Sequence, residues 1–259
     1  MKKSLFLFVL FFSFVSSSFA GGGNGIKWHS FDEGLAKAQK EGKFLLVDFY
    51  TDWCKWCKVM DEKTYSDAGV QKIMRDMFIP VRLNPEKPGT VHFMGQEYQN
   101  NQFAKAAGVT GYPSTGLFTP KGEFITIITG YLDIPKFNGM VSYLKEGYYK
   151  KISYDDYALY VMLMDKLKES PNNAGLNFVI GYFQSEVFKN NNKALKYYNK
   201  AIKNNNSLAE AYAAASKVYE RVGKKGKATK YMSKAKSLGF STDSQIFEKV
   251  KEIVNKVLS

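Results

Sequence analysis

Two cysteines three positions apart, Cys54 and Cys57, follow closely on the run Phe44 to Tyr50, which is apolar except for Asp48; these are the only cysteines in the chain. A short apolar run of this kind reads as a buried strand, and the residues after it read as a helix beginning at about Trp53. On a helix, positions i and i+3 share a face, so the two sulfurs can close one small ring. A helix N-terminus offers free N–H groups and a partial positive charge, and both stabilise a thiolate. Cys54 is therefore expected to be an accessible, acidic nucleophile, and Cys57, one turn in, the shielded resolving thiol. Lys55 and Lys58 either add positive charge that lowers the thiol pKa further or are simply solvated.

Other uses of the pair fit less well. A structural bridge that closes a loop of two intervening residues restricts the unfolded chain little. A zinc site would need two more ligands, and the chain offers only His29 and His92 beside its carboxylates, without metal-like spacing. The expected cofactor set is therefore empty apart from the Cys54–Cys57 disulfide itself, and no metal is expected. Asp48 lies in mid-strand. An ionised carboxylate is costly there, so its pKa is expected to rise, unless the side chain faces solvent.

The N-terminus reads as a targeting segment. Lys2 and Lys3 precede an apolar stretch from Leu5 to Phe12, and Ser18-Phe19-Ala20 offers small residues where a signal peptidase reads. Residues 1–20 are expected to be a signal peptide removed after Ala20, and the mature protein to be exported to a bacterial periplasm; a retained anchor is the alternative. Export argues against nucleic acid as a partner. The formal charge of +13 is uneven: residues 21–150 carry 16 Lys+Arg and 14 Asp+Glu, and residues 151–259 carry 19 and 10. The basic part suits an acidic protein, an anionic membrane surface, or merely a solvated lysine-rich face.

From Trp28 to Lys150, helical and strand patterns alternate. Ser30 with Glu33 suggests a capping box opening a helix. After the Cys-x-x-Cys, the helix is expected to restart near Tyr65-Ser66-Asp67 and continue over Ala68–Met77. Phe78–Leu83 is the next strand. Asn84–Asn101, with Pro85, Pro88 and Gly89, reads as irregular at first, and its aromatics Phe93 and Tyr98, with His92, either shape a substrate surface or have no role. A short helix over Gln102–Ala107, a strand over Gly116–Thr119, a turn at Pro120-Lys121-Gly122-Glu123 and a strand over Phe124–Thr129 follow. Asp133-Ile134-Pro135 opens a last helix.

Three separate stretches resemble the thioredoxin superfamily: Val47-Asp48-Phe49-Tyr50-Thr51-Asp52-Trp53-Cys54-x-x-Cys57, Gly108-Val109-Thr110-Gly111-Tyr112-Pro113-Ser114, and Leu117-Phe118-Thr119-Pro120-Lys121-Gly122-Glu123. Within it, Trp-Cys-x-x-Cys-Lys followed by Met60, Tyr65-Ser66-Asp67 and Val70 is similar to the thioredoxin-like domain of DsbD-type thiol:disulfide interchange proteins and related exported thioredoxins. The resemblance implies a central mixed sheet flanked by helices. It also implies a proton-relay role for Asp48 and a cis peptide at Pro113, with Tyr112 beside the cysteines. Trp53 and Trp56 become site cover and contact surface, or plain packing. The central dipeptide Lys55-Trp56 departs from both the Gly-Pro of thioredoxin and the Pro-His of the strong oxidant.

Beyond Lys150 the pattern is helical throughout. At a shift of 34 residues Phe178 aligns with Tyr212, Gly181 with Ala215, Ala194 with Ala228, Tyr197 with Tyr231 and Ala201 with Ala235. This spacing of small and aromatic residues resembles tetratricopeptide repeats; an unrelated bundle is the alternative. The expected organisation is a thioredoxin-like α/β domain over 21–150, a connecting helix over 151–170, and tetratricopeptide-like all-α repeats with a capping helix over 171–259. The expected function is an exported thiol–disulfide oxidoreductase that reduces protein disulfides. Its partners would be client proteins, a thiol electron donor and a protein recruited by the helices. The same site run as an oxidase or isomerase, or a helical adaptor whose thioredoxin domain mainly binds, are the competing readings.

Overall fold

The computed structural model describes residues 25–258. The signal peptide expected over residues 1–20 lies outside the described residues. The chain divides into two compact units, one ending at Phe137 and one beginning at Asn138.

The first unit is a thioredoxin-like mixed sheet with flanking helices. Helix α1 (Phe31–Glu41) ends at Gly42, whose φ of 66° is a left-handed conformation that glycine adopts without a Cβ penalty. The expected capping box does not form: the Ser30 side chain makes no cap bond, and the Glu33 carboxylate pairs with the His29 ring at 2.8 Å. Strand β1 (Phe44–Phe49) is buried along nearly its whole length. Helix α2 (Lys55–Met60) runs into a π-helical turn over Asp61–Tyr65, and helix α3 (Ala68–Met77) restarts behind Asp67, whose carboxylate caps the Val70 N–H at 2.9 Å. Strand β2 (Phe78–Leu83) then pairs parallel to β1.

The Asn84–Asn101 segment is irregular at first, as expected, over residues 84–89, and then forms a hairpin that the sequence did not announce, β3 (Thr90–Phe93) and β4 (Gln96–Gln99), followed directly by α4 (Asn100–Ala106). Only Val91 of the hairpin is fully buried, so the alternation that marks a strand is too short to read. The Phe93 ring nonetheless joins Phe31, Phe103 and Phe118 in edge-to-face contacts, with centroids 4.6–5.9 Å apart. Strands β5 (Ser114–Phe118) and β6 (Phe124–Thr129) close the sheet in the order β2-β1-β5-β6, with β5 antiparallel to both neighbours. Helix α5 (Ile134–Lys145) starts where Asp133 accepts the Lys136 N–H at 2.8 Å, and the division between the two units falls inside this helix.

The second unit is all-helical: α6 (Tyr154–Glu169), α7 (Ala174–Tyr182) with a π-helical continuation over Phe183–Val187, α8 (Asn191–Asn204), α9 (Ala209–Arg221), α10 (Lys225–Ser237) and α11 (Ser244–Leu258). Helix α7 packs on α8, α8 on α9 and α9 on α10, and α11 lies against α7 and α9. Small residues set the spacing. Ala194, Ala201, Ala215 and Ala235 are fully buried. At Gly181 an added Cβ would come within 2.6 Å of the buried Tyr198 ring. Gly181→Ala should therefore force α7 and α8 apart and destabilise the helical unit by about 1–3 kcal/mol, the usual cost of overpacking. Denaturant unfolding monitored by helical circular dichroism checks this; an unchanged or raised midpoint contradicts the packing described.

Candidate active site: a disulfide at a helix start

The end of β1 delivers the chain to one end of the sheet, where Thr51 is buried and its carbonyl accepts the Cys54 N–H at 3.2 Å. Cys54 is the N-cap of α2. Its sulfur accepts the Cys57 N–H at 3.0 Å, the place a capping oxygen usually takes, so the helix begins at Lys55 rather than Trp53. The two sulfurs are bonded to each other. In the disulfide Cys54 is 4% exposed and Cys57 5%. Lys55 and Lys58 are exposed on α2.

Two aromatic pairs adjoin the disulfide. Trp53 meets Tyr112 edge-on, with centroids 6.0 Å apart, and Trp56 stacks on Tyr131 at 5.6 Å. Both indoles are open to solvent, Trp53 at 67% and Trp56 at 58%. The Tyr112–Pro113 peptide is cis, and the Pro113 carbonyl accepts the Gly130 N–H at 2.8 Å. The Trp53 indole N–H is shared by both carboxylate oxygens of Glu86, at 2.9 and 3.0 Å. Glu86 is held in turn by Asn84, whose side-chain oxygen accepts the Glu86 N–H at 2.9 Å. Lys87 pairs with Asp52 at 3.1 Å. The loop that opens the Asn84–Asn101 segment is thus tied to the turn that carries Trp53.

Asp48 is 2% exposed and stands opposite Arg82 on β2 and Thr115 on β5. Arg82 donates from Nε to Asp48 Oδ2 at 3.0 Å and reaches Asp61 Oδ1 with its other arm. The guanidinium lies over the Trp28 ring, 4.3 Å from its centroid, and 5.1 Å from that of Tyr50. Asp48 Oδ1 has no partner among the described residues. Burial pushes the Asp48 carboxyl up to about 6, and the attraction of Arg82 only partly offsets that rise. The two carboxylates hold the Arg82 guanidinium above its ordinary value.

Sequence reasoning did not single out Arg82, Asp61, Glu86 or Tyr131. A signal for Arg82 existed: it is the one charge in Phe78–Leu83, as Asp48 is in Phe44–Phe49, and two lone opposite charges in neighbouring buried strands suggest a pair. Glu86 and Tyr131 carry no such signal.

Residues 31–145 match the thioredoxin-like domain family, and this part of the chain is a thioredoxin-like domain. Over 109 residues, 41% of this chain, it is 28% identical to the thiol:disulfide interchange protein DsbD of Photorhabdus laumondii, of which the match covers 17%. The chain thus spans about a sixth of the length of this curated relative. Among solved structures, a thioredoxin from Thermus thermophilus is 22% identical with a TM-score of 0.39, covering 47% of this chain and 88% of that one. The oxidised C-terminal domain of DsbD from Neisseria meningitidis is 23% identical with a TM-score of 0.33, covering 42% and 87%.

A carboxyl raised from 3.8 to about 6 by folding makes the fold bind a proton that the unfolded chain has already lost. The stability this acid contributes is therefore complete below about pH 4 and is lost as pH rises through about 6. Asp48→Asn, which mimics the protonated acid, should match the parent at pH 4 and exceed it by up to about 3 kcal/mol at pH 7. Unfolding of the oxidised protein across that range checks this. A difference that is flat, or shrinks with rising pH, contradicts the burial argument.

Proposed function

We propose that this chain is an exported thiol–disulfide oxidoreductase that reduces disulfides in client proteins. The observation that carries the reading is the Cys54–Cys57 disulfide at the start of α2, reached directly from the strand that holds a buried, proton-retaining acid. In the reduced protein the Cys54 thiolate, stabilised by the helix start, attacks one sulfur of a client disulfide. The client's other sulfur leaves as a thiolate and takes up a proton. Cys57 then gives up its proton, with Asp48 as the proposed acceptor, and attacks the Cys54 sulfur. The client's second thiol is released and the Cys54–Cys57 bond re-forms, two electrons having passed to the client. A dithiol donor of the same chemical class must then reduce the pair.

A carboxyl near pH 6 suits this role, since a group that titrates close to ambient pH can both take and return a proton. Lys55 and Lys58 add positive charge at the helix start. Trp53, Trp56, Tyr112 and Pro113 form the surface that meets the client. The helical unit is proposed as two tetratricopeptide-type repeats that recruit a protein partner. Its support is the offset between α8, starting at Asn191, and α10, starting at Lys225, together with buried small residues at matching points. The reducing direction rests on the resemblance of the site's residues to those of reductive exported thioredoxins. The periplasmic location rests on the pattern of residues 1–20.

The full chain, reduced beforehand, should reduce insulin disulfides, and Cys54→Ser should abolish this. Cys57→Ser should instead accumulate mixed disulfides with client proteins, which reducing agent releases, because the resolving thiol is gone. Activity that survives Cys54→Ser, or trapping that occurs through Cys57 when Cys54 is replaced, contradicts the assigned order of attack.

A further inference from the structure

The disulfide is almost covered, yet the rings beside it are not. Cys54 is 4% exposed, while Trp53 and Trp56 are among the most exposed large apolar residues of the described chain. A client sulfur must come within bonding distance of Cys54, which directly follows Trp53 and precedes Trp56 by two positions, so the residues on either side of the client's cysteine pass close to these rings. An extended segment advances about 3.3 Å per residue, so its side chains one or two positions from the cysteine are the ones within reach of the indoles.

The two rings are backed differently. The start of β5 and the end of β6 are paired at Ser114 and Thr129, and the Gly130 N–H bonds the Pro113 carbonyl. Tyr112 and Tyr131 therefore leave the same end of this ladder, and β1 ends there too, Phe49 lying opposite Ser114. Trp56 rests on Tyr131, and its position falls within the dipeptide that departs from the thioredoxin pattern. Trp53 rests edge-on against Tyr112 and is fixed from behind by the two oxygens of Glu86. A ring held by a bidentate acceptor is pre-organised, so a client loses less freedom in ordering it.

We propose that the Trp53–Tyr112 and Trp56–Tyr131 pairs select clients whose reactive cysteine is flanked by apolar or aromatic side chains in an extended segment, with Glu86 acting as a positioning residue for Trp53. This rests on the exchange reading for its setting but concerns recognition alone. Exposed aromatic faces gain most from apolar partners, because both surfaces leave water. The first turn of the Asn84–Asn101 segment serves recognition by carrying Glu86 to the indole.

The test compares two disulfide peptides that differ only in the residues flanking cysteine, Leu and Phe in one, Ser and Thr in the other. The reduced full chain should favour the apolar peptide about tenfold or more in kcat/KM, mostly through KM, as expected for one or two apolar groups finding a complementary surface. Trp56→Ala and Tyr131→Ala should bring that ratio towards one, and Tyr131→Phe should keep it. Glu86→Ala should lower the ratio, and Glu86→Gln, whose amide oxygen still accepts the indole N–H, should restore it. Equal KM values for the two peptides, or a ratio indifferent to Trp56 and Tyr131, overturn the proposal. Binding of cysteine-free versions of the peptides to the Cys54→Ser/Cys57→Ser protein, read by indole fluorescence, separates recognition from chemistry. A preference for the apolar peptide there supports the proposal even if no disulfide is reduced, an outcome that would count against the exchange reading alone. Equal binding overturns the proposal whatever the exchange rates.

Discussion

The register of β1 between its two neighbours governs the first unit. Each residue of this buried strand is fixed opposite one residue of β2 and, from Leu45 onward, one of β5. A slip by one position would turn every side chain to the other face. In the observed register Asp48 faces Arg82 across the parallel pair, so a charge that could not stand alone in an apolar strand has a cation beside it. The same register ends β1 opposite Ser114, and this sets Cys54 near the Tyr112–Pro113 turn and at the start of α2. Acid, disulfide and aromatic surface are therefore consequences of one strand alignment.

The Asp48–Arg82–Asp61 arrangement has opposing physical terms. Taking a carboxylate and a guanidinium out of water is costly, and their attraction returns only part of that cost. Asp61, on the turn after α2, shares Arg82 with Asp48 and adds a second negative charge. The outcome is an acid that holds its proton to about pH 6. A stability-optimised core would replace this cluster with hydrocarbon. Its presence in the strand leading to the disulfide is what links the stability of the fold to the proposed chemistry.

Much of this was legible in the residues. The strand Phe78–Leu83 reads directly from its apolar run, and the break in the helix after Cys57 from Ser66-Asp67, because both signals are local. The all-helical character of the second unit was legible too, since Ala194, Ala201, Ala228 and Ala235 recur at fixed points and are buried. What escaped was set by tertiary partners. The β3–β4 hairpin has one buried side chain and so no readable alternation. Glu86 and Tyr131 become site residues only because the loop after β2 and the end of β6 reach Trp53 and Trp56.

The central claim is that Cys54 and Cys57 form a reductive exchange pair, and its equilibrium reduction potential tests this most directly. Equilibration of the full chain with glutathione or dithiothreitol buffers, read by alkylation of the free thiols, gives the value. The account predicts a potential near the reducing end of the scale, about −270 mV, where thioredoxin lies. A value near −120 mV, that of the strong oxidant, would mean that electrons flow the other way.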